Sequence, residues 1–281
     1  MTRLTKRVPT QRFSRRPSAA PGADDAWLRD QRADEVIVEE PLEIRSKGQV
    51  LATTMRTPGH DIDLVHGYLY TEGIIRSAED IREARYCPGA VGPGGTNTYN
   101  VLDLDLARRS PVPVNFLRTN TTTSACGVCG SSSIEQIMAQ RDGERVVPIH
   151  PAPDVLVSLP ERLRAEQKSF RRTGGVHAAG VATTDGEILL VREDVGRHNA
   201  ADKVVGALLR GGQLPASELL LVMTSRASFE LVNKALSAGF SGLVAISAAT
   251  SLAVEMARTS GLLLAGFTRG DRFNLYAGDI G

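Results

Sequence analysis

At 281 residues, with 42% hydrophobic and 23% charged residues, the chain has the make-up of a globular protein with one large core or two modest ones. A formal net charge of +1 supplies no field that would recruit nucleic acid or an acidic membrane as the main partner. No segment approaches the roughly 18 uninterrupted apolar residues of a membrane span, and 3 cysteines, an odd number, argue against a disulfide-stapled secreted scaffold. The expected setting is the cytoplasm, with reduced thiols.

Residues 1–33 are rich in arginine, proline, serine and alanine and read as a flexible basic tail. The pair Arg15-Arg16 has the look of an export signal, but no apolar run follows between Pro17 and Asp25, as such a signal requires. Residues 34–118 are expected to form a small α+β domain. Strand-like stretches lie at Val36–Val38, Leu42–Ile44 and Val50–Met55, and the Ser46-Lys-Gly48 break suits a hairpin between the last two. From Asp61, the spacing of Leu64, Val65, Tyr68 and Leu69 predicts a helix that Gly73 ends. Asn97 to Leu106 alternates as a strand, before a connection containing Pro111 and Pro113.

Residues 119–131 have no apolar period and read as a loop carrying Ser124-Ala-Cys126-Gly-Val-Cys129-Gly130. Ser132 and Glu135 are spaced as a capping box for a helix through Ile134, Ile137 and Met138. The two thiols thus precede a helix N-terminus, whose partial positive charge favours thiolate. Residues 132–281 form the expected α/β domain. Thr184-Asp-Gly186 turns a hairpin between strands Val176–Thr183 and Glu187–Val191. Helix Asn199–Arg210, strand Leu219–Met223, helix Phe229–Ala238 and strand Leu243–Ile246 follow, then helix Leu252–Ser260 and strands Leu262–Phe267 and Phe273–Ala277. That alternation predicts a largely parallel sheet centre.

A lone C-x-x-C serves as half a zinc site, as a redox dithiol or as a sulfur nucleophile with a companion thiol. Cys87, His150, His177 and His198 are available as further zinc ligands, but none forms a second close pair. The spacing leaves all three chemistries open. It does exclude zinc nucleobase deamination: no His is followed two residues later by Glu, and Ala125 stands where that signature has proline.

The second half carries further polar constellations. His177, in Gly174-Gly-Val-His-Ala-Ala-Gly180, sits among small residues at a strand entry, where a packed structural role competes with a chemical one. Arg192-Glu-Asp-Val-Gly-Arg-His198-Asn199 places charge between a strand end and a helix start, which suits a ligand loop or a solvated one. Thr224-Ser225-Arg226-Ala-Ser228 and Ser247-Ala-Ala-Thr-Ser251 each put hydroxyls and backbone N–H groups at a helix start beyond a strand. Ordinary capping explains one such site, and two with Arg226 suit a phosphate-bearing ligand. Phe267-Thr268-Arg269-Gly270-Asp271-Arg272 adds two arginines on a turn between strands, spaced to fork a diphosphate or pair carboxylates.

Ser124–Gly130, Thr173-Gly-Gly-Val-His-Ala-Ala179, Glu193-Asp-Val-Gly-Arg-His-Asn-Ala-Ala-Asp-Lys203 and Thr224–Ser228 together resemble the formate dehydrogenase accessory sulfurtransferases, the FdhD/NarQ family, from about Val36 to the C-terminus. The resemblance implies a cytidine deaminase-like three-layer α/β C-terminal domain, a smaller N-terminal part and a homodimer. It implies a carrier that takes sulfur from a cysteine desulfurase as a cysteine persulfide. The carrier passes that sulfur to the molybdenum or tungsten bis(molybdopterin guanine dinucleotide) cofactor of formate dehydrogenase, a client rather than a resident group, and no permanently bound metal is expected. Cys126 falls where the family holds its persulfide, with Cys129 as companion, and the family's cofactor-contacting stretch falls on Phe267–Arg272. The phosphates of that cofactor match Thr224, Ser225, Arg226 and Ser228, with His177 and His198 beside them; Cys87 lies outside the motifs and reads as structural. The rival readings are a non-catalytic pterin- or nucleotide-binding chaperone with structural zinc at the C-x-x-C, and a dithiol oxidoreductase.

Overall fold

A computed structural model describes residues 4–16, 26–87, 98–107 and 145–281. Among these, three sheets form. A two-stranded antiparallel ribbon pairs β1 (Thr5–Arg16) with β2 (Ala26–Ile37) in unbroken register. A four-stranded sheet is built from β3 (Glu40–Ser46), β4 (Gln49–Arg56), β5 (Ile81–Tyr86) and β6 (Val101–Leu106), in the order β4-β3-β6-β5. The alternation in β3 and β6 buries Leu42, Ile44, Leu102 and Leu104 on one face, against Leu64, Val65 and Leu69 of helix α1 (Asp61–Thr71). Each such side chain contributes about 1.5–3 kcal/mol by leaving water.

The large sheet contains β7 (His177–Ala182), β8 (Ile188–Asp194), β9 (Leu220–Met223), β10 (Gly242–Ala245), β11 (Leu263–Arg269) and β12 (Arg272–Ala277), ordered β12-β11-β10-β9-β7-β8. Its centre, β9-β10-β11, is parallel, and both flanks are antiparallel. Alternate residues sort the helices. Val181, Leu221, Met223, Leu243 and Leu264 face α4 (Arg197–Arg210), α5 (Phe229–Ser237) and α6 (Ser251–Ser260). Ala178, Leu220, Val222, Val244 and Leu263 face Leu156, Leu159 and Leu163 of α2 (Pro153–Glu166), which the short α3 (Lys168–Thr173) follows. Helices therefore cover both faces of a mixed sheet, as β/α alternation requires.

Helices α1 and α4 join the two sheeted units by direct backbone contact. A Cβ on Gly67 would lie 1.8 Å from the Asp202 carbonyl oxygen, and one on Gly206 would lie 1.8 Å from that of Asp63. Only two glycines facing each other allow this approach.

Several expectations need correction. Residues 5–16 and 26–33, expected as a flexible tail, run in paired strands, because Phe13, Trp27 and Leu28 stand among long polar residues in a pattern that composition alone conceals. Strand β5 escapes the sequence pattern because only Ile81 and Tyr86, at its two ends, are large and apolar. Helix α2 is masked by Pro160 in its interior, although Pro153 starts it and Leu156, Leu159 and Leu163 keep helical spacing. The connection at Pro111 and Pro113, the thiol loop at 119–131 and the helix expected from Ser132 lie outside the described residues.

Candidate functional site

The carboxyl ends of β9, β10 and β11 open onto one edge of the large sheet, where parallel α/β sheets commonly hold ligands. Three loops meet there. The segment after β9 pairs with the segment after β10 through an isolated parallel bridge, Ala227 to Ala249. In it the Ala227 N–H donates to the Ala248 carbonyl at 3.0 Å and the Thr250 N–H donates to the Ala227 carbonyl at 3.0 Å. The Phe267 N–H donates to the Ser247 carbonyl at 3.0 Å and brings the end of β11 into the same layer.

Thr224 proves to be a fastener. Its hydroxyl accepts the Ala178 N–H at 2.9 Å and lies 3.4 Å from His177 Nδ1, which ties the start of β7 to the end of β9. The Ser225 hydroxyl donates to the Arg226 carbonyl at 3.1 Å, whereas the Arg226 side chain is exposed. Ser228 and Thr250 occupy the N-cap positions of α5 and α6 with extended backbone, yet neither side chain bonds a first-turn N–H. Ordinary capping thus does not account for these hydroxyls; at α5 the Glu230 carboxylate takes its own backbone N–H instead.

The Glu193–Lys203 motif is mostly internal framework. Asp194 is fully buried and accepts from Lys203 Nζ at 2.7 Å, from the Thr57 N–H at 3.1 Å and from the Gly196 N–H at 2.8 Å. Asn199 donates to the Met55 carbonyl at 2.7 Å, and Glu193 accepts the N–H groups of Ser169 and Phe170 at 2.8 Å each. Asp202 takes Lys234 Nζ at 2.7 Å and the Thr71 hydroxyl at 3.1 Å. The motif thereby holds β4, α1, α3 and α5 around α4. The sequence suits a ligand loop or a solvated one here; in the fold these carboxylates instead accept from internal donors.

Two side chains of that motif are exceptions. Among the described residues Arg197 Nε and His198 Nε2 are buried without a hydrogen-bond partner, and so is Thr268 Oγ1 in β11. A buried polar atom left unpaired is expensive, so such atoms mark where another molecule completes the site. Burial, then the charges of Arg197 and Lys234, push His198 down to about 4, so its ring is neutral near pH 7. Burial and Arg197 likewise lower His177. A neutral imidazole offers one donor and one acceptor nitrogen rather than a charge. Arg197 was not singled out from the sequence; the signal available was its place in Gly-Arg-His at the start of a helix.

The segment Phe267–Arg272 covers the end of β11, the Gly270-Asp271 turn and the first residue of β12. Thr268 is fully buried, while Phe267, Arg269, Gly270, Asp271 and Arg272 are exposed. Arg269 and Arg272 are directly opposed across the β11-β12 ladder, with Gly270-Asp271 as a two-residue turn. Like charges directly opposed repel, and an anion between them reverses the sign of that interaction. The structure therefore gathers His177, His198, Thr224, Ser225 and Ser228 at one sheet edge, with Thr268 on the neighbouring strand. Cys126 and Cys129 lie outside the described residues. Cys87 sits at the end of β5 in the small sheet, half-buried, with its N–H on the Val101 carbonyl.

The model of the FdhD/NarQ family matches residues 37–280. The chain belongs to the FdhD/NarQ family. A relative from Corynebacterium efficiens, named sulfur carrier protein FdhD, is 59% identical over 89% of this chain and 91% of its own. A namesake from Nocardia farcinica is 53% identical over 88% of each chain. A solved structure from Desulfotalea psychrophila, described as a formate dehydrogenase accessory protein, superposes with a TM-score of 0.67 over 97% of both chains at 21% identity, a likeness of fold. The FdhD/NarQ match begins at Ile37, so the ribbon lies almost wholly in front of it.

Proposed function

We propose that the protein is a sulfur carrier serving formate dehydrogenase, with sulfur held as a persulfide on Cys126. The observation that carries this reading is the FdhD/NarQ match over 37–280, together with relatives 59% and 53% identical that bear the name sulfur carrier. In the proposed cycle the Cys126 thiolate attacks the terminal sulfur of a desulfurase persulfide. A new S–S bond forms, and the desulfurase leaves as its own thiolate. Cys129, two residues on, is the companion thiol.

The client on this reading is the guanine dinucleotide form of the molybdenum or tungsten cofactor. Its phosphates suit the uncapped start of α6 and the opposed Arg269 and Arg272. The unpartnered atoms of Arg197, His198 and Thr268 offer polar contacts beside them. Thr224 and His177 hold the floor of that edge. The division into an N-terminal segment 1–33, a small α+β unit 34–118, a thiol loop 119–131 and an α/β unit 132–281 belongs to this proposal. So do a cytidine deaminase-like relation of the α/β unit, supported by helices on both faces of its sheet, a homodimer, and the cytoplasm as its place.

The test is to incubate the protein with a cysteine desulfurase and cysteine and weigh the peptide that carries Cys126. A gain of one sulfur on Cys126, lost in Cys126→Ala together with formate dehydrogenase activity but not its abundance, is the expected result. An active desulfurase that leaves both thiols unmodified overturns the reading. Stoichiometric zinc in the purified protein favours a structural C-x-x-C instead.

A further inference from the structure

Most polar side chains around the start of α4 serve the fold. Asp194, Asn199, Asp202 and Lys203 all bond inward. Arg197 and His198, the first two residues of the helix, are different. Their Nε and Nε2 atoms are buried and find no hydrogen-bond partner among the described residues. Each residue as a whole is only half-buried, so a small turn of either side chain brings that atom to the open sheet edge. Two neighbouring polar atoms in this state call for an outside acceptor.

The charged and titratable groups that face His198 come from three elements. Arg197 stands beside it on α4, Lys234 and Glu230 approach from α5, and His177 from the start of β7. Lys234 is matched by Asp202 at 2.7 Å, and Glu230 takes its own backbone N–H. The guanidinium of Arg197 cannot deprotonate, and with burial it keeps a proton off the imidazole. An anion seated against Arg197 Nε and His198 Nε2 reverses that balance. It gives the ring a negative neighbour and supplies an acceptor to which a protonated Nε2 donates. The phosphates inside a dinucleotide are diesters and carry no proton near neutrality, so the proton comes to the protein.

We propose that one diphosphate of the client seats against Arg197 and His198 at the start of α4 and draws a proton onto His198, so that the protein grips its client as pH falls and releases it as pH rises. The inference rests on the carrier reading for the identity of the client; it adds a proton to the binding step and assigns the residue that takes it. Between the free and the bound midpoints of His198, each pH unit changes the affinity by up to about tenfold.

Guanosine diphosphate mannose is the probe, because its phosphates are diesters too. Its binding to the full chain is measured by calorimetry at about pH 7.5 and about pH 5.5, each in two buffers of unlike ionisation heat. The expected result is an affinity about tenfold higher at the lower pH, with net proton uptake there. The probe also raises the His198 midpoint from about 4 in a carbon-detected histidine titration. His198→Gln, checked for folding by circular dichroism, still binds the probe but loses the uptake and the pH dependence. Affinity that ignores pH, uptake that persists in His198→Gln, or a probe that binds at neither pH overturns the inference. So does a His198 midpoint that stays near 4 with the probe bound, a measurement that needs no variant. Sulfur loading of Cys126 is read separately, so failure of the proton linkage is not confused with failure of the carrier reading.

Discussion

Asp194 and Lys203 are sequence neighbours of the site, yet their chemistry is inward. Both are essentially excluded from water, and every Asp194 oxygen has a donor. Removing one member of such a pair strands the other charge. Asp194→Asn should therefore destabilise the fold by about 3–5 kcal/mol in urea unfolding. His198 behaves differently: its folded-state value of about 4 lies below the ordinary imidazole value of about 6.5. The unfolded chain then binds the extra proton first as pH falls, so stability declines from about pH 6.5 towards pH 4. His198→Gln should flatten that part of the stability profile, and a carbon-detected histidine titration should place the His198 midpoint near 4.

At the scale of elements, the contact between α1 and α4 depends on two missing side chains. Gly206→Ala would place a methyl 1.8 Å from the Asp63 carbonyl oxygen, so the helices must separate. We expect a loss of about 3 kcal/mol or more in thermal or urea unfolding, against a gain in intrinsic helix propensity below about 1 kcal/mol. Elements with clean periods were legible in advance. The β9-α5-β10-α6-β11 run matches expectation to within a residue or two, because its apolar residues repeat at 2 or 3.6 and its helix-to-strand turns carry Gly239 and Gly261. Strand β5, helix α2 and the ribbon were not legible, since a strand with apolar ends, an internal proline and an arginine-rich composition each hide the period. The polar positions at the sheet edge were legible as a group, but not their division of labour. Thr224 reads as a phosphate contact in the sequence and works as a strand fastener in the fold, because its hydroxyl falls level with the Ala178 N–H across a ladder that sequence does not reveal.

For the whole molecule, α1 belongs to two cores at once: its apolar face seals the small sheet, and its glycine face rests on the helix layer of the large one. The two units should unfold together, with far-ultraviolet circular dichroism and tyrosine absorbance giving one coincident transition in urea. Trp27, the sole tryptophan, stands outside both cores. Its fluorescence should resemble that of tryptophan in water and change little across the transition; a large blue shift in the free protein would contradict the exposed ribbon.

The paired glycines also govern what a gene encoding this chain tolerates. Because main chain meets main chain, no exchange of side chains elsewhere can substitute for that contact. A truncated product starting after α1 would present a bare strip of α4 backbone and a row of internal carboxylates without their donors. Recombination that swaps the N-terminal unit between relatives succeeds only when both helices keep a hydrogen at the crossing.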